Sequence, residues 1–202
     1  MKTTAIALLL LLPASALPEG DAAGTAPEVT ETRIVRYEPP QSWPDQRDFR
    51  PGHCWTTSLA MPRSDAYRCS TGNLLYDPCF AVEGGEYVIA GADPSTGYPG
   101  FLIKLTEPLP EPGDYPEIDD YVWMLELADG TVGVWATGAT GIVGEKTINV
   151  ILSGYDGGDL VAIIGELNPG RVWTAERATL GLNEDGFYAV ESEMVPIRTI
   201  WR

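Results

Sequence analysis

The stretch RPGHCWTTS, Arg50 to Ser58, places the single histidine of the chain, His53, directly before Cys54 and Trp55. A cysteine followed by an aromatic residue is how a thiol nucleophile is often presented, so acyl transfer is the first chemistry to test. Such a nucleophile needs an imidazole folded beside it from elsewhere in the chain, with an Asn or Asp to orient the ring. His53 is the immediate neighbour of Cys54, and adjacent side chains of an extended chain point to opposite faces. No second histidine exists to serve as base. Cys54 is therefore not read as a nucleophile. Ser-His-Asp hydrolysis fails on the same count, and no G-x-S-x-G elbow occurs.

Other chemistries fare no better. Zinc sites cluster His and Cys, and neither H-E-x-x-H nor C-x-x-C is present, so no metal and no cofactor are expected. GATGIVGEKT, Gly138 to Thr147, nearly spells a phosphate loop. Its spacing is one residue too long, and a strand rather than a helix follows, which removes the amides and dipole that hold an anion. A hairpin turn is the better reading. GLNEDGF, Gly181 to Phe187, resembles part of a calcium loop, but positions one and twelve would be Gly181 and Ser192, so a turn is expected here too. The acids Glu111, Asp114, Glu117, Asp119 and Asp120 read as a solvated loop. Glycoside hydrolysis needs only two carboxylates, and nothing singles out a pair among 29 acids. Six tryptophans could stack on sugars, yet in a β domain most are core, because each buries a large apolar area.

The elements that must position these residues are short β-type runs: TRIVRYE, EYVIAG, GFLIKL, DYVWMLEL, TVGVWAT, TINVILS, DLVAII, VWTAERATL and VPIRTIW. Gly and Pro clusters separate them, and the best helical candidate is only the short stretch Pro62 to Tyr67. The pattern predicts an all-β fold: one antiparallel domain, a sandwich or barrel-like sheet, with long Pro/Gly-rich loops. The Pro-rich segment Glu107 to Tyr121 divides the chain into two halves.

The N-terminus reads as an export signal over residues 1–16, with Lys2, the apolar run Ala5 to Leu12, and an Ala14-Ser15-Ala16 cleavage site. Residues 17–33 lack periodicity and suit a flexible leader, leaving 34–202 as a single β domain. No transmembrane segment follows, and the expected location is secreted, outside the cell or at its envelope. The formal charge is −16. Residues 70–202 carry 6 Lys/Arg against 21 Asp/Glu, while 31–69 carry 6 Arg against 5 acids. That balance excludes nucleic acid as a partner.

The segment GHCWTTSLAMPRSDAYRCSTGNLLYDPCF, Gly52 to Phe80, resembles an uncharacterised family of exported bacterial proteins with the pattern CW..S.A.PR.DA.RC..GN...DPCF. The likeness continues through LTEPLP, LADGTVGVWATGATG and GRVWTAE to VPIRTIW, and it implies export and a shared domain. Three cysteines cannot all pair within one chain, and the shortest loop would be Cys69–Cys79. The family also carries cysteines where this chain has Ala90, Gly133 and Leu152. Positions 79 and 90 are symmetric about the turn at Gly84-Gly85, and 133 and 152 about Ile142-Val143. The resemblance thus implies a Cys54–Cys69 disulfide with Cys79 left as a free thiol. Within the motif, Arg63, Asp65, Arg68, Asn73 and Asp77 either line a ligand site or form a structural polar network of turns and Arg–Asp pairs, the second reading being favoured.

The expected protein is an exported, non-catalytic β domain with a binding or interaction role at the envelope or outside the cell. The alternatives are a carbohydrate-active enzyme or lectin that uses carboxylates and exposed tryptophans, and an inhibitor of an exported hydrolase presenting the loop PEPGDYPEIDD.

Overall fold

Glycine at the strand ends sets the hairpins of this protein, whose computed structural model describes residues 28–40, 49–112, 121–138, 140–152 and 160–202. The first half holds β1 (Arg33–Val35), β2 (Phe49–Thr57), β3 (Ala66–Thr71), β4 (Leu74–Ala81), β5 (Tyr87–Ala90) and β6 (Phe101–Leu105). The second holds β7 (Met124–Leu127), β8 (Val132–Trp135), β9 (Ile142–Val143), β10 (Lys146–Leu152), β11 (Leu160–Asn168), β12 (Thr174–Asn183) and β13 (Gly186–Trp201). No helix occurs among the described residues, so the fold is all-β as its composition implies. The helical candidate at Pro62 to Tyr67 is a turn that runs into β3. Both pseudo-motifs are hairpins: Gly144-Glu145 joins β9 to β10, and Glu184-Asp185 joins β12 to β13.

Strands β2 to β6 form a closed barrel, sealed by a parallel pairing between β2 and β6. Its interior is filled by Cys54, Tyr67, Cys69, Cys79, Val88, Ala90 and Ile103. Gly52 sits where β2 passes from its pairing with β6 to its pairing with β3. A Cβ there would lie 2.2 Å from the Ser70 carbonyl oxygen and 2.7 Å from Ile103 Cγ2, so only glycine fits. The other strands form an eight-stranded sheet in which β7 returns to pair with β13. Strand β11 is buried on both faces: Ile163 joins one apolar cluster, while Ala162 and Ile164 join another.

The barrel and the larger sheet meet through a third apolar layer. Ala66, Phe80, Ile89 and Leu102 point outward from the barrel onto Trp123, Met124 and Trp201. The division therefore falls at the Pro-rich segment, of which residues 113–120 lie outside the described residues. Strand β1 crosses that division to pair in parallel with the end of β13. Just before it, Thr32 is buried, donates through Oγ1 to the Ile197 carbonyl at 2.7 Å and accepts from the Trp173 amide at 2.7 Å. Thr32, among the last residues of the expected leader, is thus fixed to the backbone of Ile197 and Trp173. The signal segment and residues 17–27 lie outside the described residues.

Cross-strand register bears on the cysteines. Cys54 and Cys69 are Cα partners and are disulfide-bonded, while Cys79 is free and buried. Cys79 stands opposite Ala90, and Gly133 stands opposite Leu152. Both pairs of positions read from the sequence do face each other, the first across a hairpin and the second across β8 and β10, with Ile142-Val143 forming strand β9 rather than the turn. A Cβ at Gly133 would lie 2.6 Å from Leu152 Cδ2, so the leucine occupies the room that the glycine leaves. Burial pushes the Cys79 thiol far above its ordinary range, and the thiol donates to the Tyr76 carbonyl at 3.5 Å. In the unaltered protein Cys79 should react with alkylating reagents only after unfolding. Ala90→Cys should form a second disulfide with Cys79, visible by non-reducing peptide mapping, and should raise stability by about 2–3 kcal/mol. A Cys69–Cys79 linked peptide in the unaltered protein would contradict the pairing.

Candidate functional site

Two irregularities in the barrel ladder flank a single arginine. Between β2 and β3 the register moves from Cys54↔Cys69 to Thr56↔Arg68, so Trp55 is an extra residue turned out of the pairing. Between β3 and β4 it moves from Tyr67↔Cys79 to Cys69↔Tyr76, so Asp77 and Pro78 together oppose Arg68. Pro78 has no N–H to give the ladder, which is why the pairing yields at that point. Bulges of this kind re-aim side chains, and here they bring Trp55, Arg68 and Asp77 together on the outer face of the barrel.

The three side chains are layered. The Asp77 side chain is only 3 % exposed. Its Oδ1 accepts from Ser58 Oγ at 2.5 Å and its Oδ2 accepts from the Leu59 amide at 3.2 Å. Ser58 Oγ in turn accepts from the Met61 amide at 2.9 Å, so the hydroxyl is fully engaged. Arg68 Nε lies 3.9 Å from Asp77 Oδ2, an ion-pair distance without a hydrogen bond, and is buried with no hydrogen-bond partner. The guanidinium carbon stands 5.8 Å from the centre of the Trp55 ring, a cation–π contact. Trp55 itself is 44 % exposed. The His53 ring also lies 5.8 Å from the Trp55 ring, and Ser70 Oγ is 3.5 Å from His53 Nδ1.

The five polar motif residues are split by the fold. Arg63 and Asp65 form a two-pronged pair, Nε to Oδ1 at 2.9 Å and Nη2 to Oδ2 at 2.7 Å. Arg63 also donates through Nη1 to the Tyr37 carbonyl at 2.6 Å and lies over the Phe80 ring. That pair seals the layer between barrel and sheet. Arg68 and Asp77 belong to the bulged cluster. Asn73 is exposed in the turn between β3 and β4, where Gly72 has φ +56° and supplies the positive φ of a two-residue hairpin. Ser58 and Trp55 are the partners that residue-by-residue reading missed, although both stand within the quoted motif.

Among the described tryptophans, Trp123 and Trp201 are buried, and Trp135 and Trp173 pack against apolar clusters. Of these, Trp55 is the exposed one, at 44 %, whereas Trp135 and Trp173 are half-buried. No group of His, Cys, Asp or Glu that could hold a metal ion occurs among the described residues, and none of their helices or strands is a helix long and apolar enough to cross a membrane. No protein-family model matches the chain, and no curated protein or solved structure matches it.

Burial raises the Asp77 carboxyl above its ordinary 3.8, against the opposing pull of Ser58, the Leu59 and Ala60 amides and Arg68. The folded protein therefore holds the Asp77 proton more tightly than the unfolded chain does. The stability tied to that proton is fully present below the unfolded value and is lost as pH rises through the raised folded value. Asp77→Asn removes the buried charge and keeps one acceptor oxygen, enough for Ser58 or for Leu59 but not for both. Its stability relative to the unaltered protein should rise from acid to neutral pH in chemical denaturation. Asp77→Ala leaves the Ser58 hydroxyl and the Leu59 amide without their acceptor and should cost about 3 kcal/mol at neutral pH.

Proposed function

We propose that the protein is an exported, non-catalytic binding domain that holds its ligand on the outer face of β2, β3 and β4, around Trp55. One observation carries this reading: a solvent-exposed indole turned out of the ladder by a bulge and contacted by the Arg68 guanidinium. Leaving so large an apolar ring in water is unfavourable, and a ring already fixed in place loses little freedom when a ligand covers it. The disulfide rung Cys54–Cys69 lies directly beside the bulge and stiffens it. Leu59 and Leu75 are also exposed, at 52 % and 60 %, and Leu75 pairs with Ser70 next to His53.

A flat, supported indole beside hydroxyl and imidazole groups suits the apolar face of a sugar ring, which favours a glycan-binding role. Hydrolysis of that glycan would require two carboxylates facing the scissile bond. The carboxylate bonded into this cluster is Asp77, and it is enclosed by Ser58 and Leu59. Binding without cleavage is the better supported role. Export rests on the tripartite signal of residues 1–16, and mass spectrometry of the exported chain should find Leu17 as its first residue.

Co-sedimentation with insoluble cell-wall polysaccharide, together with tryptophan-fluorescence titration of soluble fragments, tests the ligand face. Trp55→Ala should weaken binding by about tenfold or more, the loss of one stacked ring, while the protein stays folded and loses only the roughly 0.5–1 kcal/mol of the contact with Arg68. Binding by Trp55→Ala equal to that of the unaltered protein would remove this face from consideration.

A further inference from the structure

Strand β13 uses its two edges unequally. Along one edge it pairs with β12 from Asn183↔Gly186 to Thr174↔Pro196. Along the other it meets β9 at Phe187↔Val143 and β7 from Ile197 to Trp201. Between those contacts, residues 188–194 have no ladder partner on that edge among the described residues, and all seven are exposed. The seven residues span about 23 Å of strand, with one bulge at Val190 between the pairs Thr179↔Glu191 and Leu180↔Ala189, and that length can template another strand. The edge is acidic. Glu191 and Glu193 lie in it, Glu184 and Asp185 form the adjoining turn, and Arg177 is already shared between Asp129 and Glu193. Tyr188, Val190 and Met194 add exposed apolar surface at 46 %, 59 % and 53 %.

We propose that this free edge is a docking site for an extended, cationic segment of a partner protein, which adds a strand beside β13. Main-chain hydrogen bonds supply the attachment, and Lys or Arg side chains opposite Glu191 and Glu193 select the occupant. A second copy of this chain is the poorer occupant. Antiparallel pairing of two such edges brings Glu191 and Glu193 of one copy against the same residues of the other, on chains that each carry −16. This face lies on the larger sheet, apart from Trp55 on the barrel, and stands or falls separately from the glycan-binding reading.

The test uses the full exported chain and two soluble decapeptides, one alternating Lys and Thr and one alternating Glu and Thr, read by amide hydrogen exchange. The Lys–Thr peptide should slow exchange within residues 188–194, and the effect should weaken as salt is raised. The Glu–Thr peptide should leave those amides unchanged. The double variant E191Q/E193Q should bind the Lys–Thr peptide about tenfold more weakly, and Trp55→Ala should bind it normally. Exchange unaffected by the Lys–Thr peptide overturns the proposal. Protein-concentration-dependent protection of the same amides without peptide also overturns it, and assigns the edge to a second copy.

Discussion

Phe80 is fully buried although it points outward from a closed barrel, and the arrangement of the molecule follows from covering it. Its ring lies 5.2 Å from Tyr37 and 5.7 Å from Trp123, and those two are 5.0 Å apart, so three rings meet in tilted and edge-on contacts. The cross-strand row Ala66↔Phe80↔Ile89↔Leu102 offers a continuous apolar stripe on the outside of β3 to β6. Exposed, that stripe would cost several kcal/mol; each fully buried side chain of this size contributes about 1.5–3 kcal/mol. Trp123, Met124 and Trp201 of the larger sheet cover it, and Arg63 closes its margin by holding the Tyr37 carbonyl.

Covering that stripe also decides which part of the barrel remains free. The outer positions of β2 and of the far ends of β3 and β4 lie beyond the covered row, and there the ladder is broken on both sides of Arg68. The arginine is held by incomplete interactions: a 3.9 Å approach to Asp77, a buried Nε without a partner, and a stacked indole. An unsatisfied buried donor costs about 1–3 kcal/mol. The barrel carries that cost at one place, where a tryptophan faces solvent.

Cations are held differently on the two sides of the same division. In the larger sheet Lys146, Arg177 and Arg198 are each bonded to carboxylates, with Glu176, with Asp129 and Glu193, and with Glu126. These pairs are partly exposed and contribute little stability individually. They do leave the acids in excess on that half. On the barrel, Arg50 and Lys104 instead lie over the rings of Phe101 and Phe49. Acids exceed bases on the barrel as well, 7 to 4 over residues 49–112, so the two halves differ in how their cations are held rather than in the sign of their charge.

Much of the architecture was legible from local chemistry. Runs such as EYVIAG, GFLIKL and TINVILS became β5, β6 and β10 because β-branched residues between glycine turns have few other choices. The hairpin positions followed from Gly84-Gly85, Gly144-Glu145 and Glu184-Asp185, and the facing of positions 79 and 90 followed from symmetry about the first. Strands β2, β3 and β4 were less visible, because Pro51, Gly52 and Pro78 interrupt them and pairing across the barrel, rather than propensity, holds them extended. The sequence by itself determined the all-β class, the turns, the exclusion of Cys54 as a nucleophile for want of a second imidazole, and the candidate set of polar residues. Tertiary structure alone decided that Arg63–Asp65 and Arg68–Asp77 part company, that Trp55 is exposed while Trp123 and Trp201 are not, and that one edge of β13 stays open. Those outcomes depend on bulges and on which strands meet at closure, and a one-residue shift of register, invisible in composition, moves a side chain from the core to the surface.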